Sequence, residues 1–207
     1  MKKLIYIFLF LCSGFLWAQS ADQKKILEDS RSFISLFQKK DYDGMLNMTH
    51  PAIFEKIDKQ TMIDGFKKMF EKNDEFEIEM VDTDQTTFNV SDIFTTTDNT
   101  KYAFSSYPMK MKMTFLKEKF DDDKKKMVLG MMEAQGMEAK FINDTTLEMS
   151  KQSMILALND KTTSNTWKYL NYDEANPLYV SIVPVEVMKK AKEYYANLLI
   201  KQKENAN

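Results

Sequence analysis

Residues 59–80 read KQTMIDGFKKMFEKNDEFEIEM, and the fold class turns on the change of period inside this stretch. Met62, Ile63, Phe66, Met69 and Phe70 recur at i, i+1, i+4, i+7 and i+8, the stripe of an amphipathic helix over Lys59 to Lys72. After Asn73-Asp74 the period drops to two. Phe76, Ile78 and Met80 alternate with Glu75, Glu77 and Glu79, as in a strand with one wet face. A helix feeding directly into a two-sided strand marks the seam between a helical first part and a sheet.

Upstream of the seam, Ile26, Leu27, Phe33, Ile34 and Phe37 share one face of a helix from Ala21 to Lys39. Asp41 to Thr49 reads as a short helix, broken at His50-Pro51 because a residue before proline leaves the α region. Downstream, Phe88 and Val90 suit a strand and Thr97-Asp98-Asn99-Thr100 a turn. Tyr102 to Leu116 reads as a long strand, bent near Pro108, in which Met109, Met111, Met113 and Phe115 alternate with Lys110, Lys112 and Thr114. An amphipathic helix is expected to interrupt the sheet within residues 119–136, starting near Asp121. Strands resume at Leu147 to Met149, Ser153 to Leu158 and Thr166 to Tyr172, with 159–165 as a connecting turn. A last helix over 184–203 begins at Pro184. Helices, then antiparallel strands, then a closing helix is an α+β order.

Residues 1–18 carry a separate signal. Lys2-Lys3, the apolar run Leu4 to Leu11 and the small Ala18 before Gln19 have the three regions of a cleavable secretory signal peptide, with the cut expected after Ala18. Export follows as an expectation, to the periplasm or beyond the cell. Bulky Leu11 before Cys12 argues against lipidation, and cleavage leaves a chain without cysteine, hence without disulfides. The remaining residues 19–207 suit one domain and no stable membrane span. Removing Lys2 and Lys3 takes the formal charge from −2 to −4, with the two signs mixed along the chain, so no nucleic-acid partner is expected.

The first helix, Lys40-Asp41-Tyr42, Thr49-His50-Pro51, the third helix, the curved sheet and the late Thr166-Trp167-Lys168-Tyr169 strand together resemble the NTF2-like superfamily, including its SnoaL-like and ketosteroid-isomerase-like members. The resemblance covers residues 21–172, while the inserted helix and the C-terminal helix depart from it. It implies a cone-shaped pocket between three N-terminal helices and the concave face of the sheet. That fold serves enzymes, carriers and scaffolds alike.

His50 is the only imidazole, so acid-base chemistry near neutrality would use it, with Asp41 or Asp43 as the neighbouring acid. Against this stands the plainer role of a helix cap or loop hydrogen bond. Met109, Met111 and Met113 have the Met-x-Met spacing of exported copper chaperones. A core strand needs the same pattern and the sequence offers no further ligand, so neither metal nor cofactor is expected. The leading expectation is a non-enzymatic binder of an apolar small molecule or a protein partner, with Tyr42, His50, Met111, Met113, Trp167 and Tyr169 lining its pocket. A small isomerase or hydrolase using His50 is the alternative, and a domain that forms a homodimer through its sheet face is the third reading.

Overall fold

The structure is a computed structural model that describes residues 20–206, so the expected signal peptide and Cys12 lie outside the described residues. Three helices come first: α1 (Ala21–Gln38), α2 (Tyr42–Met48) and α3 (Lys59–Phe70), with a 3-10 turn at Pro51–Glu55 between the last two. Each starts on a side-chain cap. Ser20 and Gln23 form a reciprocal capping box at α1, while Asp41 and Asp58 accept backbone N–H groups at α2 and α3. At α2 the cap folds back so closely that a Cβ on Gly44 would sit 2.7 Å from Oδ2 of Asp41, so a side chain at 44 would displace the capping carboxylate.

The sheet is antiparallel throughout and is organised by two long strands, β4 (Lys101–Phe115) and β6 (Thr146–Asn159), paired without interruption from Lys101↔Asn159 to Thr114↔Thr146. On the far side of β4 lie β1 (Phe76–Met80), β2 (Asn89–Val90) and β3 (Phe94–Thr95). On the far side of β6 lie β5 (Glu138–Phe141) and β7 (Lys168–Asn171). Between β4 and β5 comes the inserted helix α4 (Asp122–Ala134), and after β7 come α5 (Pro177–Ile182) and α6 (Val185–Ala206).

Strand alternation divides the core. Odd-numbered residues of β4 and β6 face the N-terminal helices: Ala103, Tyr107, Ile155 and Ala157 pack with Ile26, Phe33, Ile34, Met45, Leu46, Trp167 and Tyr169. Even-numbered Tyr102, Phe104, Met154, Leu156 and Leu158 pack on the opposite face with Tyr179, Val183, Val187 and Ala191 of the C-terminal helices. Toward the other end of the strands, Met111, Met113, Phe115, Leu147 and Met149 continue the odd face and are covered by Val128, Leu129 and Met132 of α4.

The chain is therefore α+β, with three N-terminal helices on one face of a curved antiparallel sheet, an inserted helix and a C-terminal helix, as expected. Three details differ. The two short strands expected at 147–149 and 153–158 are one strand, because polar Ser150 to Gln152 stay in the ladder opposite Pro108 to Lys110. In β4, Pro108 stays in the ladder, opposite Gln152. The element β5 follows Gly136, whose φ of 72° lets the chain reverse, and α5 precedes the expected final helix, its Asn176 cap followed directly by Pro177. On the face opposite the N-terminal helices, α6 covers part of the sheet.

Candidate functional site

His50 follows Thr49, the C-cap of α2, and caps the 3-10 turn. Its backbone N–H donates to Tyr169 O at 3.1 Å, beside a parallel bridge between Thr49 and Tyr169, so the corner after α2 is pinned to β7. The ring is 3% exposed. Nδ1 accepts from the N–H of Ala52 at 3.4 Å, and Nε2 lies 3.2 Å from Oδ2 of Asp160 and 3.3 Å from Oγ1 of Thr162. With Nδ1 accepting, the proton sits on Nε2 and points at the carboxylate. Burial works to raise the Asp160 pKa. The Thr162 hydroxyl, the Thr163 N–H and His50 outweigh it and hold the carboxyl below its ordinary range.

The acid beside His50 is thus Asp160 from the β6–β7 turn, and the expected neighbours Asp41 and Asp43 are elsewhere. Asp41 is occupied as the α2 cap, accepting from Gly44 at 2.9 Å. Asp43 is exposed and pairs with Lys59 at 2.7 Å, which lowers its pKa. Nothing in the sequence pointed to Asp160, since the pair joins residues 110 apart.

The other expected lining residues separate into two places. Tyr42 is buried, stacks on Phe66 with centroids 5.6 Å apart, and carries a hydroxyl without a partner. Trp167 and Tyr169 belong to the core under α1, where the Tyr169 hydroxyl donates to Asp29 at 2.7 Å; burial first, then that contact, raises its pKa far above the ordinary phenol. Met111 and Met113 lie at the far end of the same face, beneath α4.

One apolar pocket opens between these elements. It has a volume of about 220 Å³ and is bounded by Met45 and Leu46 of α2, Ile53 of the 3-10 turn, Met62 and Phe66 of α3, Tyr169 and Leu170 of β7, and Leu178, Tyr179 and Ile182 of α5. Thr49, Asn171, Asp173 and Asn176 supply its polar positions. Tyr179 is 5% exposed and its hydroxyl has no hydrogen-bond partner, a costly state for a buried donor. His50 is absent from the lining although Thr49 and Ile53 on either side contribute to it.

A larger cleft of about 430 Å³ follows the β6 edge between β5 and β7, walled by Tyr107, Lys151, Tyr172, Glu174 and Tyr195. Its walls are more polar, and the edge backbone is already engaged: Tyr195 Oη donates to Gln152 O at 2.7 Å and Tyr172 N to Met154 O at 2.9 Å. The smaller pocket is the better site for an apolar molecule because its walls are hydrophobic side chains converging from several elements. Among the described residues no three His, Cys, Asp or Glu gather as a metal set, and no helix is long and apolar enough to cross a membrane. No family model, curated protein or solved structure matches the chain.

Proposed function

We propose that this is an exported protein of the NTF2-like superfamily, periplasmic or secreted, that holds a small apolar molecule between α2, α3, β7 and α5 without converting it. The observation that carries the reading is the wall of the 220 Å³ pocket. Apolar cavities of about 150 Å³ stay dry and take up molecules the size of benzene. This one is somewhat larger and has polar groups along part of its wall, which suits a compact apolar body with one hydrogen-bonding end. Export is supported by the basic, apolar and small-residue order of residues 1–18, and the superfamily by three helices on one face of a curved antiparallel sheet.

The alternative of an isomerase or hydrolase built on His50 draws less support. A general base needs a free ring nitrogen facing a substrate. Here Nδ1 accepts the Ala52 N–H, Nε2 faces Asp160, and the ring stands outside the pocket. Dimerisation through the sheet has the half-face beyond α6 available to it, where Lys110, Lys112 and Glu148 stand, a charged surface rather than an apolar one.

Native mass spectrometry of the protein purified from an exporting host tests the reading. The expected result is an added small-molecule mass that disappears on denaturation and is absent from a Met62→Trp variant, in which the indole fills the pocket. A bare mass, together with no rise in unfolding temperature on adding a short-chain alkanol such as hexanol, overturns it.

A further inference from the structure

The sheet register brings together thioethers that the sequence keeps apart. Met111 of β4 pairs directly with Met149 of β6 on one side and with Met80 of β1 on the other. Directly opposed residues of an antiparallel pair project to the same face with Cβ atoms about 5 Å apart. Met113 stands two residues further along that face, and Met132 of α4 packs into the same cluster from above. Met149 is buried, while Met80, Met111, Met113 and Met132 are half-buried, so the group is shielded yet reachable. Nearer the other end of β4 and β6 the same face is built from Ala103, Tyr107, Ile155 and Ala157, and leucine would supply the volume of methionine without its sulfur.

We propose that Met80, Met111 and Met149, assisted by Met113 and Met132, form a binding site for a soft monovalent cation, cuprous copper. Thioether sulfur is a soft donor that selects Cu(I) over harder ions, and methionine's three rotatable bonds let side chains on neighbouring strands converge on one point. Harder divalent ions have no competing set, since no three His, Cys, Asp or Glu gather among the described residues. The site is at the α4 end of the sheet and independent of the apolar pocket, which is lined by none of these five methionines.

The test is an anaerobic competition in which the protein draws Cu(I) from its bicinchoninate complex. The expected result is uptake of one Cu(I) per chain, weakened at least tenfold in a Met111→Leu/Met149→Leu double variant and unchanged in Met69→Leu, whose side chain is exposed on α3. Silver(I), a redox-inert stand-in, is then added to wild-type protein carrying ¹³C-labelled methionine methyls, so the assignment does not depend on a variant folding. Shifts confined to Met80, Met111, Met113, Met132 and Met149 are expected. No uptake from bicinchoninate, equal uptake by the double variant, or shifts at exposed Met127 and Met131 alone each overturn the proposal.

Discussion

Pro108 of β4 and Gln152 of β6 face each other in the middle of the central ladder as a pair without mutual hydrogen bonds. The backbone partners fix this. Phe104 O and Lys110 O accept from Ser91 and Val81 on the β1–β3 side, so even-numbered residues of β4 turn away from β6. Pro108 therefore lacks its N–H where β4 is bordered by neither β1 nor β2, between Ser106 and Met111, and the ladder loses nothing. Pro108→Ala is expected to move stability by less than about 1 kcal/mol, whereas Met109→Pro, one residue along and facing β6, costs about 3 kcal/mol or more. Urea midpoints of the two variants decide it, and equal losses would refute the alternation.

The contact of His50 with Asp160 makes an acid-sensitive clasp. Since the folded carboxyl is held below the ordinary range, its contribution is present above about pH 4 and lost as pH falls through the folded value. Asp160→Asn is expected to cost about 1–2 kcal/mol at pH 7 and less at pH 3, read from urea unfolding at both. A constant difference across pH would mean that the carboxylate charge plays no part.

Alkali acts through the tyrosines. Burial raises Tyr107, Tyr169 and Tyr179 well above the ordinary value of 10.0, and Tyr172, half-buried and near Glu174, is pushed up to about 12. The unfolded chain loses these protons first, so stability holds up to about pH 10 and declines above it. Tyr179→Phe should flatten that decline in denaturant midpoints taken between pH 8 and 11. An unchanged slope would show that Tyr179 ionises freely in the fold.

Ser30 of α1 and Ser105 of β4 are completely buried with hydroxyls that find no partner. An unsatisfied buried hydroxyl costs free energy that alanine does not. Ser30→Ala and Ser105→Ala are each expected to be neutral or stabilising by up to about 1 kcal/mol in thermal unfolding. Destabilisation beyond that would reveal a buried water or bound group engaging the hydroxyls.

Local patterns carried most of the architecture. The helix at Lys59 to Phe70 and the strand at Phe76 to Met80 were legible because each buries one face of its own, and α4 showed itself through the Asp121 cap and acidic first turn. Reading failed where the reason for a residue lay in another segment. Ser150 to Gln152 look like a break because they are polar, yet they continue β6 opposite Pro108 to Lys110, and Gln152 lies on the short edge left between β5 and β7, where Tyr195 donates to its carbonyl. The site was less legible for the same reason. Asp160 reaches His50, and Tyr179 reaches the pocket, only through tertiary closure. Of the Met80–Met111–Met149 row, the sequence singled out Met111 alone as a soft ligand, within a run along its own strand, and placed Met80 and Met149 on separate strands with nothing to show that they meet.

The pinning of His50 and Thr49 to Tyr169 has a consequence for the order of events during synthesis. The helices emerge first from the ribosome, but the strand that closes over them ends at Asn171, and the other face of the sheet is sealed only by helices that come later still. Contacts of such long sequence separation cannot form until nearly the whole chain is available, so folding is late and slow compared with that of a helical bundle. A nascent chain of this kind remains threadable for most of its synthesis. Lys168 to Ala191 then act as its closing clasp.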